Sequence, residues 1–284
     1  MLYLSSFSFP TQSEEESYLD GIKLTCFNSC YPFKVLPEKG VGKIEFSPFT
    51  ILYGGNGCGK TTILNVIAEK LRLGRESLFN KTSFLGDYLD YCDYELKASL
   101  SGESRIITSD DVFAHILSVR RINGEIDDAR ETLFERYSEN RGKKFRLNSL
   151  EDYERLRENN LCKKVSKSQY VRSKLDENIH ELSNGESALH YFSNKITENS
   201  LYLLDEPENS LSAENQQKLA AFLEDSYRFY KCQFIISTHS PFLLAVKGAR
   251  VYDMDEPPFK VKKWTDLRNV RIFHDFFTRH SNEF

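Results

Sequence analysis

Residues 49–65, FTILYGGNGCGKTTILN, constrain this chain more than any other stretch. A short β-branched and aromatic run, which predicts a strand, gives way to a loop from Gly54 to Gly59 with little side-chain bulk. Lys60, Thr61 and Thr62 then open an apolar-periodic segment that predicts a helix. That order is the pattern of a phosphate-binding loop. Gly54, Gly55, Gly57 and Gly59, with Asn56 and the small Cys58 between them, let successive N–H groups turn inward around two phosphates. Lys60 adds a point charge, and the helix behind it offers its positive end. The Thr61 hydroxyl is placed to hold Mg²⁺, with Thr62 beside it. A nucleoside triphosphate is the expected ligand.

Composition sets the frame for that site. The chain has 284 residues, enough to bury a substantial core, and a formal net charge of −4, so its overall field does not favour nucleic acid. The start, MLYLSSFSFP, lacks the basic and continuously apolar character of a signal peptide. No stretch approaches the ~20 apolar residues of a membrane span. A cytoplasmic location is the expectation. The six cysteines are scattered, which argues against a zinc site. Cys58 is read as a small residue tolerated by a tight loop; its place beside Lys60 and a helix start makes a lowered pKa and a redox role the functional alternative.

Short strands are predicted at 2–9, 22–27, 33–36 and 44–46 around polar turns that include the acidic run 14–16. Together they suggest a small antiparallel sheet beside the nucleotide, with Phe27, Tyr31 and Phe33 as core residues or adenine contacts. A helix follows the loop from 61 to about 71, a strand is read at 105–108, and Ser109 can cap the next helix. Residues 125–160 carry ten acidic and eight basic residues, which predicts solvent-facing helices. Lys163, Lys164, Lys167, Arg172 and Lys174 then fall within twelve residues without an acid. A solvated helix face explains them; weak, sequence-independent nucleic acid binding is the functional alternative.

Two further motifs bear on the triphosphate. Ser183, Asn184, Gly185 and Glu186 form a polar, glycine-containing loop at a predicted helix N-terminus, a second anion-binding arrangement. The apolar strand 201–204 delivers Asp205 and Glu206 at its C-terminal end, where α/β sheets bind ligands. Asp205 is placed to reach the Mg²⁺ at Thr61, and Glu206 to polarise a water for attack on the terminal phosphorus. A second apolar strand, 232–238, ends in His239, which can hydrogen-bond that phosphate, and Pro241 is set to start a helix. Strands at 250–254 and 259–262 follow, then an amphipathic helix at 266–279. That helix exposes Arg268 and Arg271 and can bury Val270, Phe273, Phe276 and Phe277.

Over residues 20–255 the chain resembles the ATP-binding cassette (ABC-type) ATPases. GGNGCGKT at 54–61 matches Walker A, LSNGE at 182–186 is similar to the family signature LSGGQ, LYLLDE at 201–206 matches Walker B, and His239 stands where the switch histidine does. The resemblance implies an α/β P-loop NTPase with a core at about 20–76 and 181–255, an N-terminal antiparallel β subdomain, an inserted helical lobe at about 77–180 and a C-terminal extension at 256–284. It implies ATP and Mg²⁺ as ligands, Glu206 as base, and Lys60 and His239 on the γ-phosphate. An ATP-dependent head-to-tail homodimer would set Ser183, Gly185 and Glu186 of one copy over Lys60 of the other. Two positions depart from the pattern. No glutamine matches the family's coupling residue, Gln169 being too close to Ser183, and Ser212 replaces the cross-dimer aspartate.

The 77–180 insertion and STHSPFLL look most like soluble cassette ATPases of DNA repair, chromosome maintenance and phage defence, including SMC-like and overcoming-lysogenisation-defect types. The expected function is Mg-dependent ATP hydrolysis that regulates a separately encoded effector. An ATP-gated clamp with little turnover and a transporter ATPase subunit are the alternatives.

Overall fold

A computed structural model describes residues 1–22, 27–142, 153–179, 183–256 and 259–284. The chain divides into two compact units, one formed by 1–113 with 184–284 and the other by 114–183.

The first unit is built on a six-stranded sheet. Its strands are β3 (Phe49–Tyr53), β5 (Arg105–Thr108), β6 (Leu201–Asp205), β7 (Gln233–Ser237), β8 (Arg250–Asp253) and β9 (Lys260–Val261). They lie in the order β5-β6-β7-β3-β8-β9, all pairs parallel except the last. Every residue of β3, β6 and β7 is buried, which is why these three read as continuous apolar runs rather than alternating ones. Helices α2 (Lys60–Lys70), α7 (Asn184–Lys195), α8 (Ala213–Phe229) and the short α9 (Pro241–Leu244) follow the phosphate loop, the signature, β6 and β7.

A second sheet, antiparallel in the order β2-β1-β4, joins β1 (Leu4–Ser8), β2 (Lys43–Glu45) and β4 (Asp93–Leu96). This is the expected β subdomain, with β4 supplied by a segment that shows little periodicity. The buried Gln233 amide ties it to the main sheet: Oε1 accepts from the N–H groups of Tyr3 and Leu4, and Nε2 donates to the carbonyls of Leu4 and Ser47. One continuous apolar core runs under both sheets, from Phe7 and Ile44 to Ile63, Leu203 and Ile235.

Two local expectations are corrected, and a third falls outside what the structure describes. The acidic run 14–16 is in a helix, α1 (Gln12–Asp20), because Thr11 and Glu14 form a reciprocal capping box at its start. Residues 33–36 lie in turns before a 3-10 segment at Pro37–Lys39, and the strand expected at 22–27 falls mostly on 23–26, outside the described residues. Phe33 is in the core, stacked on Tyr18. A short helix, α3 (Leu85–Asp90), precedes β4.

The second unit takes most of α4 (Ser109–Gly142), which starts in the first, together with α5 (Tyr153–Lys164) and α6 (Lys167–Arg172). The lobe expected from residue 77 thus contrasts with a contact boundary at 113, since β4 and β5 pair into the sheets of the first unit. Tyr137, Cys162, Tyr170 and Val171 form its small core. Of the basic cluster, Lys174 is paired with Glu158 and Lys167 sits over the Phe134 ring. No helix among the described residues is long and apolar enough to cross a membrane.

The last helix, α10 (Arg268–Arg279), departs most from expectation. Phe273, Phe276 and Phe277, expected to be buried, are 48 %, 54 % and 54 % exposed. The helix is held at its start, where Leu267 is fully buried and the Asn269 N–H donates to the Tyr53 hydroxyl.

Candidate functional site

Parallel register builds the site. Leu52 pairs with Ser237, Ser237 with Asp205, and Asp205 with Thr108, so β3, β7, β6 and β5 end together on one edge of the sheet. Each chain leaving that edge must turn, and each turn carries a predicted residue. After β3 the loop closes with Gly57 and Gly59 at φ +78° and +99°. A side chain at Gly59 would be strained by its backbone and would meet Leu36 at 3.1 Å.

Lys60 is 4 % exposed, and its amine donates to the carbonyls of Gly54 at 2.6 Å and Gly55 at 3.2 Å. The same nitrogen lies 3.0 Å from His239 Nε2 and 3.8 Å from Glu206 Oε1, which is itself 3.5 Å from His239 Nε2. Three turns thus converge on one point. Glu206 has a positive φ of 48°, a conformation that costs a non-glycine residue on the order of 1–3 kcal/mol. It turns the chain out of β6 ahead of Pro207. The turn is fixed by its N–H donating to Ser237 O at 3.0 Å and by Asn209 Nδ2 donating to Glu206 Oε2 at 3.1 Å.

Asp205 is 8 % exposed and accepts from the Ser237 hydroxyl, with the Thr61 hydroxyl close by. Burial pushes its carboxyl above the usual range, and the two hydroxyls pull it back in part. A buried carboxylate beside a threonine hydroxyl is a hard-oxygen donor set short of positive charge, which suits Mg²⁺. Among the described residues no group of three or more His, Cys, Asp or Glu could hold a metal by itself. The space exists: Thr61, Asp205, Asn65, Arg75 and Thr108 border a cavity of about 480 Å³, several times the roughly 30 Å³ of one water.

Four residues of this edge escape the motifs. Ser237 holds Asp205 but is hidden in an apolar run. Asp255 Oδ1 accepts the Gly55 N–H at 2.5 Å from a loop with no recognisable pattern. Arg75 stacks on Phe79 and donates to Asn65 Oδ1 at 2.5 Å. Glu208 Oε1 accepts the N–H groups of His239 at 2.6 Å and Ser240 at 3.2 Å; only this residue carries a sequence signal, lying two positions after Glu206.

Other predicted residues are placed differently. Asn56 and Thr62 stand in the loop and the first turn of α2, where Thr62 is 3.3 Å from the Tyr31 hydroxyl. Cys58 is buried, and burial raises its thiol pKa more than Lys60 lowers it, which speaks against the redox alternative. Gly185 and Glu186 open α7, and Gly185 packs so closely on Asn215 that an added Cβ would come within 2.6 Å of its side-chain nitrogen. Ser183 lies just before that helix and belongs to the second unit. Ser212, at the position of the family's aspartate, caps α8 by accepting the Asn215 N–H.

Residues 110–245 match the family model described as "AAA domain, putative AbiEii toxin, Type IV TA system". The chain has a mixed α/β fold with a mainly parallel sheet and a glycine-rich loop leading into a helix at the sheet edge. No curated protein matches it significantly. Among solved structures it is similar to the Smc head domain of Pyrococcus furiosus bound to the C-terminal domain of ScpA, at 16 % identity over 97 % of this chain and 100 % of that one, TM-score 0.47. It is similar to the SMC head domain of Thermotoga maritima at 16 % identity over 92 % and 99 %, TM-score 0.41. A putative metal-chelate type ABC transporter in an inward-facing conformation is similar at 16 % identity over 98 % and 89 %, TM-score 0.42.

Proposed function

We propose that this chain is an ABC-type nucleotide-binding domain that binds ATP with Mg²⁺ and hydrolyses it. The observation that carries the reading is the convergence of Lys60, Glu206 and His239 on one point, with Thr61 and Asp205 beside it. In this arrangement the Lys60 amine is satisfied by loop carbonyls. A triphosphate entering the loop offers that amine stronger, charged acceptors, and Lys60 transfers to the β,γ-oxygens. Glu206 Oε1 is then released to take a proton from a water attacking the γ-phosphorus, while His239 Nε2 donates to a γ-phosphate oxygen. Held through Thr61 and Asp205, Mg²⁺ supplies charge neutralisation on the phosphate oxygens.

Ser183, Gly185 and Glu186 serve a second copy in this reading. Gly185 and Glu186 at the start of α7, with Ser183 just before it, would meet the γ-phosphate of that copy, so that ATP closes a head-to-tail homodimer. The dimer regulates a separate effector protein in phage defence or DNA repair. The exposed lysines of α5 add at most weak, salt-sensitive nucleic acid binding.

Calorimetry with ATP should show binding that needs Mg²⁺ for full affinity and falls roughly 10- to 100-fold in Lys60→Ala, the equivalent of one or two charge-assisted hydrogen bonds. Equal affinity in that variant removes the site. Sedimentation should give dimers with ATP and monomers with ADP; monomers with both remove the head-to-tail arrangement.

A further inference from the structure

The loop that presents His239 has few ways to satisfy its own backbone. Beyond Thr238 no strand-to-strand bond continues the ladder among the described residues, so the next N–H groups need acceptors of another kind. The Thr238 N–H reaches Leu52 O at 3.3 Å, and Pro241 has no N–H to place. Between them stand the donors of His239 and Ser240. The His239 N–H goes to Glu208 Oε1 at 2.6 Å, and the Ser240 N–H is shared between the same atom at 3.2 Å and Thr238 Oγ1 at 3.0 Å.

Glu208 is not an ordinary surface carboxylate. Its other oxygen, Oε2, is enclosed with no hydrogen-bond partner among the described residues, and burial raises the carboxyl's pKa. A carboxyl kept there at that cost must be held by the turn that carries it. That turn is tight: Asn209 N–H donates to Glu206 O at 3.1 Å, Leu211 N–H to Glu208 O at 3.0 Å, and Pro207 is buried. The same two segments are joined again on the far side, where Ser240 Oγ donates to Gln216 Oε1 at 2.7 Å and Gln216 Nε2 to Leu211 O at 3.0 Å.

We propose that Glu208 is the positioning residue for His239, fixing the imidazole at the Lys60–Glu206 pair by holding the backbone on which it stands. The residue that carries the base and the residue that carries the phosphate contact are thereby one mechanical piece. A shift of the 206–211 turn is passed to His239 through two hydrogen bonds rather than through a side chain. The inference rests on the reading of His239 as a γ-phosphate contact.

The test is a double-mutant cycle on the full chain, with kcat and KM for ATP measured in wild type, Glu208→Ala, His239→Ala and the double variant. Misplacing a reacting group by about 1 Å costs up to ~100-fold, so Glu208→Ala should lose roughly 10- to 100-fold in kcat with KM changed less than about threefold. On the His239→Ala background the same change should cost less than about threefold, because the group it positions is gone. Glu208→Gln keeps an acceptor oxygen for both N–H groups and should recover kcat to within about fivefold of wild type. If Glu208→Ala does not melt cooperatively, the cycle is run with Glu208→Asp, whose carboxylate falls one methylene short. A loss in the double variant equal to the product of the two single losses would overturn the proposal, as would wild-type kcat in the single variant. Wild-type kcat in His239→Ala removes the reading of His239 and this proposal with it. Additive losses in an active enzyme remove only the role of Glu208.

Discussion

The phosphate-loop edge of the sheet and helix α10 are both apolar by pattern, yet the protein treats them in opposite ways. At the sheet edge, Leu204, Ile236 and Leu52 are fully buried, and each strand delivers a polar residue into the space where they end. On α10, Ile272, Phe273, Phe276 and Phe277 lie on one face of a helix and are all about half exposed. The cavities differ likewise. The one beside Asp205 is lined by hydroxyl, carboxylate and guanidinium groups, whereas Pro241, Phe242, Trp264, Phe273 and Phe277 border a mainly apolar one of about 940 Å³. Hydrophobic periodicity says that a face is apolar; what lies against it is decided by the chain that returns to cover it. At the sheet edge that chain is at hand on both sides.

Stability measurements can break this contrast. The largest effect is expected for Leu204→Ala in β6, about 2–5 kcal/mol by chemical denaturation, because a fully buried leucine leaves a cavity between packed strands. A smaller loss, about 0.5–2 kcal/mol, should follow Ser212→Ala, which removes the side-chain acceptor capping α8 while leaving the sheet intact. The smallest is expected on α10, where Phe276→Ala should move stability by no more than about 0.5 kcal/mol. A cost above about 2 kcal/mol at Phe276 would mean that the α10 face is part of the core after all, and the contrast would fail.

The residues that strand register gathers at the sheet edge carry a plain sequence pattern, and several of their neighbours do not. Lys60, Thr61, Asp205 and Glu206 are readable because phosphate and metal chemistry fix residue types at short spacings, and strand register then brings distant motifs together. Ser237 and Asp255 were not readable, since each acts through a contact made across the sheet rather than along the chain. Glu208 sits within the motif, but its partners are backbone N–H groups thirty residues away, which leave no side-chain pattern. The α1 helix was missed because an acidic run outweighed the T-x-x-E capping signal that precedes it. The exposure of α10 had no signal at all, since the same spacing describes a covered helix and an uncovered one.

The central claim is that Glu206 activates the attacking water at a site whose grip on ATP is made by other residues. Phosphate release under saturating ATP and Mg²⁺, measured alongside ATP affinity in wild type and Glu206→Gln, tests it most directly. The account predicts that the variant binds ATP within about threefold of wild type and releases phosphate ~10²- to 10⁴-fold more slowly, the range expected on losing a general base. Equal turnover in the two proteins would contradict it.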